Sequence, residues 1–162
     1  MAERPPVVMR VAIDPSRSTS RIEIRVRFGE TDLMGIVHHA SYLSYFEAAR
    51  VAWLRRRGVT YATWAARGWH LPVVEASVRY RAPARFEDVV FVDVALADVR
   101  SHSLRFVYDV TRTDVDGKPV SLAVGETRLA CVDAAHKLLR MPEPLLEVLM
   151  RAELVSSGDA VC

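Results

Sequence analysis

From Arg21 the chain alternates: apolar Ile22, Ile24, Val26 and Phe28 are separated by Glu23, Arg25 and Arg27. A period of two predicts a half-buried strand, and Gly29 predicts the loop that ends it. From about Ser41 the period lengthens. Tyr42, Tyr45, Phe46, Ala49, Trp53 and Leu54 recur mostly at three- and four-residue steps, which draws one apolar stripe on a helix. A helix of about sixteen residues is roughly 24 Å long, enough to cross a sheet. Arg55-Arg56-Arg57 followed by Gly58 marks its end, because cations complement the negative end of the dipole and glycine accepts the left-handed cap. The arginine run has a second reading, as an anion site. "TYATWAARG" predicts a short second helix, again stopped by a glycine.

The remainder reads as sheet. Val74, Ala76, Val78 and Tyr80 alternate and Pro83 closes that strand. Val90, Val92, Val94 and Leu96 form the next, and Leu104, Phe106, Tyr108 and Val110 another. Asp116-Gly117 signals a tight turn between antiparallel strands. Beyond it Val120, Leu122 and Val124 are apolar at even positions, whereas Leu129 and Cys131 are odd. One face of a regular strand cannot change parity, so a bulge is predicted near Gly125. "MPEPLLEVLMRAEL" predicts a C-terminal helix. Strand, long helix and four antiparallel strands make an α+β fold, a curved sheet of about five strands around one long helix. Its open edge predicts association with a second copy.

Composition narrows the class. A chain of 162 residues, 51% apolar and 26% charged, is expected to be one soluble globular domain with a substantial core. "ERPP" and "DPSRSTS" in residues 1–20 predict a flexible extension, leaving a domain over 21–155. The formal charge of +2 resides in residues 1–21, where Arg4, Arg10, Arg17 and Arg21 are set against Glu3 and Asp14. The remainder is neutral, which argues against a nucleic-acid partner. Cys131 and Cys162 build no disulfide framework, and His70, His102 and His136 have no metal-ligand spacing with His38-His39. No metal and no cofactor is expected. Arg10 interrupts the apolar Val7-Val8-Met9 run, and no segment approaches the length of a membrane span. The expected location is the cytoplasm.

The chemistry concentrates in "RFGETDLMGIVHHASYLSYFEAAR", residues 27–50. Asp32 stands in a loop just before a helix whose first N–H groups have no intrahelical acceptors. Those groups and the positive dipole end favour a developing negative charge. A carboxylate there can attack a carbonyl carbon or activate a water, with the helix N–H groups holding the oxyanion. It can equally be a loop or capping aspartate. With Ser41 as a plausible cap, the first free N–H groups fall anywhere from His39 to Leu43.

The same stretch resembles the opening motif of the 4-hydroxybenzoyl-CoA thioesterase family of hotdog-fold acyl-CoA thioesterases. Asp32 and Gly35 match its Asp-x-x-Gly loop, and Val37, His38-His39, Tyr42 and Glu47 match the positions that follow. "VVEASVRYRAPARFEDVV" extends the likeness, which covers roughly residues 22–142. The resemblance implies a hotdog fold and hydrolysis of an acyl-CoA thioester. It implies Asp32 as nucleophile or general base, the His39 backbone N–H as oxyanion donor and its imidazole as an orienting group. Gly35 would permit close backbone approach, and His38, Ser41 and Glu47 would border the substrate. His38 replaces a frequent tyrosine and Ser41 a frequent asparagine, differences that bear on the acyl group. Glu47 has another reading, as a partner for Arg50 on the same helix face.

CoA brings a pyrophosphate and a 3′-phosphate, which need cations. Arg79, Arg81 and Arg85 flank one strand end, and Arg100 and Arg105 bracket a turn with Ser101 and His102. Arg100, Ser101 and His102 are the first expectation, since the thioesterases this sequence resembles place the nucleotide near such surface turns, often across a subunit boundary. Val74, Trp53, Tyr45 and Phe46 either shape an acyl pocket or belong to the core. The expected partners are an aromatic or short-to-medium acyl-CoA and further copies, as homodimer or homotetramer. Two alternatives are an acyl-carrier-protein thioesterase, docking its carrier at Arg55–Arg57, and a non-catalytic acyl-CoA-binding hotdog protein.

Overall fold

In the computed structural model, which describes residues 18–154, five strands form a single antiparallel sheet. They are β1 (Thr19–Arg25), β2 (Val73–Tyr80), β3 (Val89–Val99), β4 (Ser103–Thr113) and β5 (Pro119–Ala130). Their spatial order is β1-β3-β4-β5-β2. Helix α1 (Ser41–Arg55) follows β1, α2 (Tyr61–Ala66) precedes β2, and α3 (Glu143–Leu149) ends the described chain. This is the expected hotdog arrangement. The expected extension lies outside the described residues up to position 17, as does Cys162. Thr19 and Ser20 belong to β1. Among the described residues, no helix is long and apolar enough to cross a membrane.

The apolar stripe of α1 is its buried face. Tyr42, Tyr45, Phe46, Ala49, Trp53 and Leu54 are all buried, together with Ala52. Opposite them, Val90, Val92, Val94 and Leu96 of β3 and Leu104, Phe106, Tyr108 and Val110 of β4 are buried in alternation. Phe46 stacks on Tyr108 with centroids 4.2 Å apart, and Trp53 meets Phe106 edge-on at 5.1 Å. The predicted Asp116-Gly117 turn joins β4 to β5, with Gly117 in the left-handed region.

Four expectations change in detail. β1 stops at Arg25, and Phe28 stands exposed in a 3-10 turn (Phe28–Glu30). The parity break in β5 comes from a register shift that leaves Leu122 as the extra residue beside Ala123, three positions before Gly125. Gly125 answers to a different constraint: a Cβ there would lie 2.6 Å from the Phe46 ring and 2.6 Å from the Ser77 carbonyl oxygen. It is one of the points where α1 touches the sheet. Thirdly, β2 is not half-buried; of its alternating set only Val78 packs on the core. α1 packs most against β1 and β3, and Phe46 reaches Tyr108 of β4 and Gly125 of β5.

The last change concerns Arg57, which is fully buried rather than exposed at a helix end. Its guanidinium lies 3.6 Å above the Trp53 ring and donates to Ser20 Oγ and to the carbonyls of Trp53 and Arg151. Burial pushes its pKa down to about 10. Arg56 pairs with Glu153 at 3.2 Å. Only Arg55 remains exposed, so the run offers no anion site and no basic docking face. Gly58 does close the helix with φ of 82°.

Candidate active site

The loop after β1 is built by short-range hydrogen bonds. Thr31 and Val37 bridge, Asp32 N–H donates to the Ile36 carbonyl at 2.9 Å, and Gly35 N–H donates to the Asp32 carbonyl at 2.9 Å. Gly35 sits at φ of 73°, a conformation costly for a residue with a Cβ. Leu33 and Met34 form the exposed tip of this turn. Asp32 Oδ1 accepts from Met34 N–H at 2.8 Å, the hydrogen bond typical of an Asx turn. The turn thereby fixes the carboxylate by one oxygen.

The chain then runs into α1 along a second set of anchors. Val37 N–H donates to the Ala84 carbonyl at 2.8 Å and His38 N–H to the Glu30 carbonyl at 2.8 Å. His38 Nδ1 accepts from Ala40 N–H at 3.2 Å, and the His38 carbonyl accepts from Ser41 N–H at 2.9 Å. The His39 carbonyl accepts from the Tyr80 hydroxyl at 2.8 Å. The cap residue is Ala40, and the Ser41 hydroxyl turns to the Glu30 carbonyl at 3.3 Å. Among the described residues, no acceptor takes the N–H groups of His39 and Tyr42. Free donors at the first turn are what a helix start leaves over.

Asp32, His39 and Tyr42 line one cleft of about 350 Å³ with Met34, Ile36, Val37, Tyr80, Arg81, Ala82 and Pro83. Half-buried Asp32 thus lines the same space as His39, just before the helix cap, and Tyr42 in the first turn, the two residues whose N–H groups have no described acceptor. Such a constellation can attack or hydrate an acyl carbonyl and hold the oxyanion that forms. Among the described residues, no group of three or more His, Cys, Asp or Glu is placed to hold a metal ion.

The other expected site residues divide. Gly35 shapes the Asp32 turn. The His38 ring caps the start of α1 and packs on His39 with centroids 4.1 Å apart, so it supports the cleft from outside. Ser41 faces Glu30 and does not line the cleft. Glu47 lines a separate cavity of about 390 Å³ with Arg50, Leu54, Val73, Phe106 and Leu129. The expected Glu47–Arg50 pair does not form; Arg50 donates to the Tyr108 hydroxyl at 3.1 Å, and Tyr108 bonds Thr127 at 2.7 Å. Phe46 and Trp53 are core, while Val74 is exposed.

Arg100, Ser101 and His102 lie at the wrong end of the sheet to reach Asp32 in one chain. Ser103 pairs with Ala130 and Val73 with Leu129, whereas Tyr80, beside the cleft, pairs with Ala123. The length of β2 between the two ends is on the order of 25 Å. Arg100 is also held by Asp98 at 2.9 Å. Arg81, by contrast, is in the cleft wall, and Arg85 Nη1 would lie 3.8 Å from a Cβ on Gly35. Among the described residues neither they nor Arg79 form an ion pair.

Sequence reasoning missed Glu30 and Tyr80. Glu30 takes the Arg27 N–H and guanidinium and the Tyr45 hydroxyl on its carboxylate, while its carbonyl holds His38 and Ser41. Burial alone would raise its pKa; the bonds from Arg27 and Tyr45 outweigh that and hold it below the usual value. Burial first, then the same bond, pushes Tyr45 far up. The one signal for Glu30 was an acid three residues after Arg27 at a strand end. Nothing local singles out Tyr80.

Residues 26–149 match the model of the thioesterase-like superfamily. The acyl-CoA thioester hydrolase YbgC of Escherichia coli O6:H1 is 32% identical over 70% of this chain and 81% of its own. A crystal structure of the hypothetical protein TT1821 from Thermus thermophilus is 44% identical, with a TM-score of 0.74 over 81% of this chain and 95% of that one. The 4-hydroxybenzoyl CoA thioesterase from Pseudomonas sp. strain CBS-3 shares the fold at 20% identity, with a TM-score of 0.73 over 81% and 99% of the two chains. With 124 consecutive residues matched by the family model and relatives of this similarity, the hotdog sheet and its Asp32 loop have a family: this chain belongs to the thioesterase-like superfamily.

Proposed function

We propose that the protein hydrolyses acyl-CoA thioesters to a free acid and CoA. One observation carries this reading: Asp32 lines one cleft with His39 and Tyr42, whose N–H groups have no acceptor among the described residues. The thioester carbonyl lies against those N–H groups, and Asp32 acts at its carbon. As nucleophile it forms an acyl anhydride and expels the CoA thiolate, and water then releases the acid. As general base it takes a proton from the water that attacks. Either way one water is consumed and one C–S bond broken.

A cleft of about 350 Å³ with walls from Met34, Ile36, Val37, Tyr42 and Pro83 suits an aromatic or short-to-medium acyl group. Arg81 in the wall and Arg85 beside the Asp32 turn are free for the CoA phosphates. The bare β2 edge, with Val73, Val74 and Tyr80 exposed, suits pairing with a second copy into a homodimer or larger assembly. The protein acts in the cytoplasm, as a single domain that takes in β1 from Thr19.

The test is purified protein against a panel of acyl-CoA thioesters, read as free thiol. Turnover of aromatic or short-to-medium acyl-CoA is expected. Turnover confined to acyl-carrier-protein thioesters replaces CoA with a carrier, and tight acyl-CoA binding without turnover replaces hydrolysis with binding.

A further inference from the structure

We infer that Tyr80 is a positioning residue of this site: its hydroxyl, through the His39 carbonyl, aims the His39 N–H into the cleft. The inference rests on the hydrolase reading for its consequence, and on geometry alone for the clamp.

His39 stands between two peptide planes. The plane that carries its N–H also carries the His38 carbonyl, which is taken by Ser41 N–H at 2.9 Å. The plane on its other side carries the His39 carbonyl and the Ala40 N–H. Ala40 N–H goes to His38 Nδ1 at 3.2 Å and the carbonyl to Tyr80 at 2.8 Å. Every other polar backbone group around the His39 N–H is thus engaged. Two of these bonds are local, between residues 38 and 41, and fix the shape of the turn. They do not fix where the turn sits over the sheet. Val37 N–H, on the Ala84 carbonyl at 2.8 Å, anchors the chain two residues earlier, and Tyr80, the last residue of β2, adds a link across forty-one positions of sequence at the His39 carbonyl itself.

The ring of Tyr80 closes a circuit. It meets Tyr42 edge-on at 5.3 Å, Tyr42 meets Tyr45 at 5.7 Å, and Tyr45 donates to Glu30 at 2.9 Å. The Glu30 carbonyl returns to His38 N–H at 2.8 Å. Three tyrosines therefore bracket the helix start, and the Tyr80 hydroxyl is the contact that touches the residue with the free N–H. An oxyanion donor acts only when it is already aimed at the oxygen it will meet, so a loose carbonyl at His39 costs rate rather than binding. Burial pushes the Tyr80 phenol above its ordinary pKa, which keeps the donor proton in place.

Tyr80→Phe keeps the ring contact and removes only the hydroxyl. Two measurements on the full chain decide the matter. Amide exchange by NMR on ligand-free protein is expected to rise about tenfold at Ala40 and Ser41 while the β3 amides are unchanged, as loss of one local anchor predicts. With the best acyl-CoA of the panel, kcat is expected to fall about tenfold with KM within about twofold. Unchanged exchange overturns the clamp, and if kcat still falls then the hydroxyl acts on substrate directly. Raised exchange with unchanged kcat overturns the positioning role. A wild type that turns over no thioester ends the hydrolase reading and leaves the clamp to be decided by exchange alone.

Discussion

Asp32 Oδ1 accepts from the Met34 N–H at 2.8 Å, and this bond separates the carboxylate's structural duty from its chemical one. An asparagine at position 32 keeps an oxygen for Met34 and so keeps the turn, but it carries no charge to attack a carbonyl or take a proton. Asp32→Asn is expected to lose at least about a hundredfold in turnover. Its melting temperature should stay within a degree or two of wild type. Turnover equal to wild type in a folded variant removes Asp32 from the reaction.

Periodicity made the frame readable because a helix stripe and a strand face each obey one rule. Tyr42 to Leu54, Val90 to Leu96 and Leu104 to Val110 follow those rules without interruption, and they are the core. The odd parity of Leu129 and Cys131 revealed that β5 had to slip, though Leu122 rather than Gly125 is the residue that slips. What stayed hidden depends on partners distant in sequence. Arg57 reads as a solvated cap until Ser20 and Arg151 close over it, and Tyr80 reads as one more strand residue until the His39 carbonyl arrives. The motif around Asp32 was legible because its members are local. The distance of Arg100 from Asp32 within one chain was hidden for the converse reason: a turn advertises its cations but not which end of the sheet it occupies.

Gly125 and Phe46 make a second relationship that a single Cβ tests. Gly125→Ala puts that carbon 2.6 Å from the Phe46 ring and from the Ser77 carbonyl oxygen, and neither can move without shifting α1 or β2. Overpacking of this kind costs about 1–3 kcal/mol, a melting temperature lower by several degrees. Phe46→Leu in the same chain should recover part of that loss, seen as non-additivity in a double-mutant cycle. An alanine that melts with wild type places the Phe46 ring farther from Gly125 than 2.6 Å allows.

Gly35 is constrained by conformation and not by space. A Cβ there would meet only Arg85 Nη1, at an ordinary 3.8 Å, but φ is 73°. Gly35→Ala is expected to cost about 1–2 kcal/mol through the left-handed backbone. Gly35→Asn, whose short polar side chain tolerates that region, should cost less than alanine despite its greater bulk. Thermal melts of the two variants check the order, and an alanine more stable than the asparagine contradicts the assigned turn.

Glu30 gives the site a dependence on acid. Its folded-state pKa lies below the ordinary value because Arg27 and Tyr45 bind the charged form against the opposing effect of burial. A depressed carboxylate pKa means that the unfolded chain binds the proton more tightly than the folded one. The stabilisation is then complete above the unfolded glutamate pKa, about 4.3, and is lost as pH falls through the lower folded value. Below that range Tyr45 and Arg27 lose a charged acceptor, and the turn that presents His38 and Ser41 loosens with them. Glu30→Gln removes the titration but retains a hydrogen-bonding side chain. Denaturant midpoints measured from pH 7 to pH 3 should therefore fall less steeply in the variant than in wild type, with the two curves converging at the acid end. Parallel curves across that interval would mean that Glu30 does not couple this loop to protons.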